Sequence, residues 1–171
     1  PRAAAPHRRL ATIRALAQAG VPVGGMTAPI IPQLNDRDLE AILEAAAGAG
    51  ARHAGWVLLR LPREVAPLFR EWLDAHVPLR AGHVMSLVRQ LRGGRDNEPR
   101  FGARMRGSGP HAELIEQRFA IACKRFGLTR ERKPLDTTQF RPPTAPASRR
   151  GTGSAPTGRG RGSASRASTS R

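Results

Sequence analysis

The sequence predicts an α/β domain with a parallel sheet. Segments with the apolar spacing of helices alternate with short apolar runs that are typical of strands, in the order of βαβ units. Only two runs qualify as strands. Because a parallel sheet needs several strands and cover on both faces, we expect the chain to be the end of a larger α/β fold. The first residue, Pro1, also predicts that the natural start lies upstream.

The first helix and the first strand lie within the first 32 residues. Residues 7–19 have helical apolar spacing and end before Gly20, a residue favoured just past a helix. Residues 21–31 form the predicted first strand, which Pro32 ends. Apolar and polar residues do not alternate cleanly in this run. That pattern predicts a strand buried on both faces.

A second helix and a second strand follow. Asn35 or Asp36 can cap this helix at its amino end. Its predicted apolar stripe consists of Leu39, Ile42, Leu43, Ala46 and Ala47. Residues 53–61 are the second predicted strand, which Pro62 ends.

The remainder of the ordered chain reads as helices. Apolar residues recur at helical spacing from Val65 to Leu73, with Pro67 expected in the first turn. A further helix carries Val84 to Leu91, and the last one spans residues 111–126. Between them, residues 89–109 form a loop rich in arginine and glycine.

Composition excludes several classes of protein. A single cysteine excludes a disulfide scaffold and any metal cluster held by several thiolates of this chain alone. Apolar runs fall short of the roughly 18 residues of a membrane span, so we expect no membrane association. The formal charge of +16 predicts an affinity for polyanions.

The carboxyl-terminal residues differ in composition from the rest. Residues 141–171 contain seven arginines and no acidic residue, and they lack Leu, Ile, Val, Met, Phe and Trp. Such a segment cannot bury enough apolar surface to offset its chain entropy, so we expect it to be disordered. The predicted domains are therefore residues 1–140 and a basic tail, residues 141–171. The tail's Gly-Arg tract predicts either loose binding to polyanions or no function.

Four blocks of sequence, in order, resemble a known family. They are PRAAAPHRRLATIRALAQAGVPVGGMTAPIIPQLND, GWVLLRLPREVAPLFREWL, RGGRDNEPRFGARMRGSG and LIEQRFAIACKRFGL. Together they cover roughly residues 1–143 and resemble the radical S-adenosylmethionine proteins of the spore photoproduct lyase-like group. The resemblance implies the carboxyl-terminal part of a partial (β/α)6 barrel of the TIM type. Residues 21–31 would be its fifth strand and residues 53–61 its sixth.

The resemblance also implies a cofactor pair. In this family three cysteines after the first strand hold a [4Fe–4S] cluster, which cleaves S-adenosylmethionine to a 5′-deoxyadenosyl radical. This chain has one thiol, Cys123, so we expect it to bind neither group alone and to be inactive by itself. We assign it no catalytic residue and no metal ligand. The expected partner is the missing amino-terminal half, and the expected location is the cytoplasm.

The resemblance places cofactor contacts at the carboxyl ends of the fifth and sixth strands, where α/β folds generally bind ligands. The matching residues here are Ala28, Ile30, Leu59 and Arg60. Arg60 has two open interpretations. It either binds a carboxylate or phosphate at the barrel mouth, or it extends from the edge of the core to solvent.

The arginine-rich loop supplies a second candidate site. Its predicted nucleic-acid contacts are Arg92, Arg95, Arg104 and Arg106. The family includes a DNA-repair lyase, which makes DNA a candidate substrate by analogy only. The opposing interpretation is a solvated connection packed by Phe101 and balanced by Asp96 and Glu98. Two alternatives to the enzyme fragment follow: a non-catalytic basic module that binds nucleic acid, and a piece that does not fold alone.

Overall fold

The computed structural model of the chain describes residues 3–131, together with 138 and 141. Within them the predicted α/β class and the parallel sheet are confirmed. The elements are α1 (Pro6–Gln18), β1 (Gly24–Ile30), a 3-10 turn (Asp36–Asp38), α2 (Leu39–Gly48), β2 (His53–Leu58), α3 (Val65–His76), α4 (Pro78–Gln90), α5 (Ala103–Arg106) and α6 (Pro110–Arg125). All of them belong to one compact unit. The predicted tail lies outside the described residues, Arg141 excepted.

Proline fixes the start of several helices. Pro6, Pro78 and Pro110 occupy the first position of α1, α4 and α6. At that position the missing N–H would have no partner inside the helix, so proline costs nothing there. Pro67 is the third residue of α3, which confirms the prediction that it lies in the first turn. Helix α5 was not predicted; its four residues lie inside the expected loop.

The two strands pair in parallel, and α2 is the crossover between them. The register runs from Gly24 opposite His53 to Ile30 opposite Leu58, with an irregularity after Thr27. Beyond β2, Thr129 extends the sheet: its carbonyl accepts a hydrogen bond from the N–H of Ala54 at 2.9 Å. Among the described residues, β2 therefore has a partner on each side at its start, whereas β1 pairs with β2 alone.

The two faces of the sheet have different surroundings. Side chains of Ala54, Trp56 and Leu58 point into a core formed with α2 and α6. On the opposite face Met26 lies against Gly55 and is 59% exposed. The prediction that the first strand is buried on both faces is therefore wrong for the described chain. The physical reason is that α2 and α6 cover only one face.

Two hydrophobic clusters stabilise the unit. The larger one packs the covered face of the sheet against α2 and α6, and its two largest members are Trp56 and Phe119. The smaller one joins α3 and α4 through Leu73, Val84 and Val88 and includes Leu61, just beyond β2. Helices α3 and α4 thus pack near the carboxyl ends of the strands. Within the described chain, none of the helices combines the length and the hydropathy that a membrane span requires.

Candidate functional site at the carboxyl ends of the strands

Asn35 shapes the turn that follows β1. Its Oδ1 accepts a hydrogen bond from the N–H of Ile31 at 2.7 Å, and its Nδ2 donates to the carbonyl of Pro29 at 3.0 Å. The expected role as a helix cap is wrong for Asn35, because its side chain makes no capping hydrogen bond. It closes the turn instead, since both of its hydrogen bonds go back to the end of β1. The turn at this edge of the sheet is therefore held in one conformation.

Arg92 ties the end of β2 to α5. Its guanidinium donates to the carbonyls of Leu59 and Arg104, at 2.6 and 2.8 Å, and more weakly to those of Leu58 and Ala103. The residue is 2% exposed. Arg92 was predicted to contact nucleic acid, and this placement corrects that prediction. A side chain enclosed by four protein carbonyls has no free face for a phosphate.

Arg60 lies two residues beyond the end of β2 and is half-buried. Its Nε is enclosed by protein and donates no hydrogen bond. Arg92 is close enough to interact with it: burial lowers the pKa of Arg92, and the positive charge of Arg60 lowers it further. Two guanidinium groups therefore share the carboxyl end of β2.

The other three predicted contact residues differ in accessibility. Ala28 is exposed on β1, and Leu59 is half-buried between the strand end and the α3–α4 cluster. Ile30 is 1% exposed and packs in the main core. Its side chain therefore faces protein, because after the irregularity in β1 it pairs with Leu58 on the covered face. The carboxyl end of the sheet brings together Arg60, Leu59 and Arg92, with Ala28 on the neighbouring strand.

The residues described do not fit an iron–sulfur cluster. Cys123 is the one cysteine of the sequence. It is 1% exposed in the core, and burial raises the pKa of its thiol. Between residues 3 and 131, no group of three or more His, Cys, Asp or Glu side chains is arranged to hold a metal ion. The chain as described thus offers no cluster ligands, whereas Arg60, a buried donor without an acceptor, does fit an anionic ligand group.

The other three arginines predicted to contact nucleic acid have different surroundings. Arg95 is exposed. Arg104 lies over the ring of Phe101, with its guanidinium carbon 5.1 Å from the ring centre. Arg106 lies over Trp56 at 4.4 Å and donates weakly to Glu116. The predicted packing role of Phe101 is wrong, because its side chain is 90% exposed.

Sequence reasoning missed the carboxylates that organise the covered side of the sheet. Glu116 accepts a hydrogen bond from Nε1 of Trp56 at 3.1 Å and pairs with Arg130. Glu40 of α2 accepts two hydrogen bonds from Arg118 of α6, at 2.8 and 2.6 Å. Trp56 and Glu116 are 60 residues apart in sequence, and Glu40 and Arg118 are 78 apart. No local sequence pattern predicts such pairs.

Two surface cavities flank the connection between α5 and α6. One, of about 350 Å³, is lined by Leu87, Gln90, Ser108 and His111, among others. The other, of about 400 Å³, is lined by Trp56, Arg106, Glu113 and Glu116, among others. Neither is lined by Ala28, Leu59 or Arg60. These two cavities and the predicted cofactor contacts are therefore at different places.

The chain was compared with protein-family models, with curated proteins and with solved structures, and no match was found in any of the three.

Proposed function

We propose that the chain is the carboxyl-terminal part of a radical S-adenosylmethionine protein similar to the spore photoproduct lyase-like group. In this proposal β1 and β2 are the fifth and sixth strands of a partial (β/α)6 barrel. A longer polypeptide supplies the preceding strands and the cluster-binding cysteines. The proposal includes a cytoplasmic location, as expected for that family.

The observation that carries the proposal is the asymmetry of the sheet. In a (β/α) barrel the helices cover the outer face of the strands, and the inner face lines the centre. Here α2 and α6 pack against one face, while Met26 and Gly55 lie on a face that no helix of the described chain covers. Strand β1 also has one edge without a partner among the described residues. Both features are expected of strands taken from the end of a barrel.

Helix α1 supports the same interpretation. It precedes β1, as a barrel helix would, and carries an apolar side formed by Leu10, Ile13 and Leu16. None of its residues is buried, although Ile13 touches the main core. An amphipathic helix of a complete domain normally buries such a stripe. A neighbouring helix and strand from the preceding part of a barrel would cover it.

The chain's own residues would contribute one wall of the cofactor site. When bound, the cluster and S-adenosylmethionine together supply a carbon-centred radical that abstracts hydrogen. Ala28 and Leu59 would border the adenosyl group at the carboxyl ends of the strands, and the backbone held by Asn35 and Arg92 would fix their positions. No step of the reaction is assigned to a residue of this chain.

The test uses the longest polypeptide that the reading frame around this sequence encodes. It is purified without oxygen, and its iron content and visible spectrum are measured. We expect three closely spaced cysteines upstream, iron at cluster stoichiometry and a broad absorbance near about 400 nm, as thiolate-bound iron–sulfur centres give. Replacing those three cysteines by alanine is expected to abolish both signals. A longer chain without such cysteines and without iron would overturn the proposal.

A second candidate, a non-catalytic nucleic-acid-binding module, is favoured by one observation. Phe101 is 90% exposed with the guanidinium of Arg104 over its ring, a combination on which an unpaired base can stack. The test is binding of a single-stranded oligonucleotide by the 171-residue chain at several salt concentrations.

In that test Phe101→Ala is expected to weaken binding about tenfold, given stacking energies of ~1–3 kcal/mol per base. The control is Ile121→Ala, which removes an equally apolar side chain that is 69% exposed on α6. Equal affinity of the two variants at every salt concentration would refute base stacking and leave only charge attraction.

A further inference from the structure

Arg60 differs from every other enclosed arginine in the described chain. Five arginines there are buried or half-buried: Arg60, Arg70, Arg92, Arg104 and Arg118. Arg70 pairs with Asp96, Arg118 with Glu40 and Arg92 with four carbonyls, while Arg104 lies over an aromatic ring. Arg60 alone among the five has neither an acceptor nor a ring, and its Nε is fully enclosed.

An unpaired charge in such a position is unfavourable. An N–H that loses water without gaining an acceptor costs free energy, and in Arg60 this applies to the enclosed Nε–H. The neighbouring cation, Arg92, gives no compensation, because the two positive charges repel each other and the charge of Arg60 lowers the pKa of Arg92. Glu98, a carboxylate that acts on Arg92, is already engaged, because both of its oxygens accept hydrogen bonds from Arg100.

The position of Arg60 is one where ligands bind. It follows β2 at the carboxyl end of a parallel sheet, and α/β folds bind ligands outside that end of their strands. The local backbone is also fixed, because Arg92 holds the carbonyls of Leu58 and Leu59. A fixed strand end with an unpaired guanidinium is a site that an anion would complete.

We propose that Arg60 binds the oxyanion of a small ligand, a carboxylate or a phosphate. Either group gives the guanidinium acceptors that form charge-assisted hydrogen bonds, and the positive charge of Arg92 adds to the attraction. The site stands on Arg60 and its surroundings. Its existence does not rest on the proposed function.

The test is a titration of the full 171-residue chain with sodium acetate and, separately, with inorganic phosphate. Ionic strength is held constant with chloride, and the arginine Nε–Hε resonances are followed by NMR. We expect a saturable shift of the Arg60 resonance with at least one of the two anions. The stronger binder identifies the ligand group as carboxylate or phosphate.

Three variants separate a site from general charge attraction. Arg60→Gln is expected to raise the dissociation constant at least tenfold, and Arg60→Lys to retain part of the affinity. The matched control is Arg63→Gln, which removes the same charge from an exposed arginine three residues away. It is expected to change the constant less than twofold. For all three variants, binding is followed by the shift in melting temperature.

Two results would overturn the proposal: equal weakening in Arg60→Gln and Arg63→Gln, or no saturable binding of either anion. The outcome is independent of the iron test above. Oxyanion binding through Arg60 in a protein that never holds iron would keep this site and refute the radical-enzyme proposal. Iron in a longer chain whose Arg60 binds no anion would support the radical-enzyme proposal and refute the anion site.

Discussion

The two faces of the sheet differ in how completely the described chain covers them. On the covered face Trp56 is 2% exposed, packs against Phe119 and donates its indole N–H to Glu116. On the open face Met26 is 59% exposed. It lies beside Gly55, the residue before Trp56 in β2. The covered face is a completed core. The open face consists of strand surface with nothing packed on it by the described chain.

This difference shows which part of the fold the described residues determine. The helices α2 and α6, with their ion pair between Glu40 and Arg118, close one side of the sheet. On the other side Met26 is largely exposed in the described chain, and neither strand contains an acidic residue. We infer that, in a longer polypeptide, further strands pair with the free edge of β1 and further residues cover the open face.

Truncating the covered face should destabilise the chain far more than truncating the open face. Trp56→Ala removes the largest buried side chain, and such changes cost about 3–5 kcal/mol in the free energy of unfolding. Met26→Ala is expected to change it by less than ~0.5 kcal/mol, as for other exposed sites. The measurement is urea denaturation of both variants. If Trp56→Ala does not fold, Ile115→Val provides the smaller core truncation, expected to cost ~0.5–1.5 kcal/mol. Equal losses on the two faces would contradict the contrast.

Adding a methyl group should reveal the same asymmetry. At Gly107, with φ of 74°, a Cβ would lie 2.7 Å from Leu58 Cδ1 and 2.8 Å from the carbonyl of Leu91. Gly107→Ala is therefore expected to cost about 2–4 kcal/mol through backbone strain and overpacking.

The matched variant on the open face is Gly55→Ala. Its Cβ would lie 2.9 Å from Cε of Met26, the free end of a flexible side chain. We expect a change below ~0.5 kcal/mol, because that end can move into solvent and alanine loses less entropy than glycine. Thermal melts of the two proteins measure the difference. A loss at Gly55 as large as that at Gly107 would indicate that the open face is tightly packed.

Acid should weaken the covered side through Glu40. The hydrogen bond from Arg118 lowers the pKa of Glu40, although burial opposes the shift. A lowered pKa in the folded state adds stability that is fully present above the unfolded value of about 4.3 and is lost as the pH falls through the folded value. Because the pair is partly exposed, Glu40→Gln is expected to cost only ~0.3–1 kcal/mol at neutral pH.

That cost should shrink as the pH is lowered from about 5 toward 2. The control is Glu44→Gln, since Glu44 is exposed one turn later on α2 without an ion pair in the described chain. Chemical denaturation across this pH range makes the measurement. A pH-independent difference between Glu40→Gln and the native chain would show that the carboxylate's charge contributes nothing.

Local periodicity predicted the elements well. The positions of the strands and of all helices except α5 follow from apolar spacing, because residues buried on one face recur at a regular interval. The burial of β1 was not predicted correctly, because an apolar run does not reveal which neighbours cover it. A partial barrel stays a prediction, since two strands fix neither closure nor curvature.

The candidate site was less predictable than the fold. That Arg60 lies near the end of the second strand could be predicted from its place before Leu61 and Pro62, but its lack of an acceptor depends on residues far away in sequence. Arg92 illustrates the limit most clearly. It was grouped with exposed loop arginines by composition, whereas the fold turns it inward onto the carbonyls of Leu59 and Arg104. Composition shows how many charged residues a segment has, but it does not show whether each side chain points to solvent or into the protein.

The most direct test of the account is the accessibility of the open face in the longer polypeptide. Met26→Cys is alkylated in the 171-residue chain and in the longest encoded chain, and the rate is followed on the peptide that contains position 26. Ile121→Cys, on an outward position that is 69% exposed, is the control, and Cys123 stays buried in both.

If β1 and β2 are the last strands of a barrel, alkylation at position 26 is expected to slow at least tenfold in the longer chain. The rate at position 121 is expected to be unchanged. Equal rates at position 26 in the two chains would mean that nothing covers this face, and would contradict the barrel.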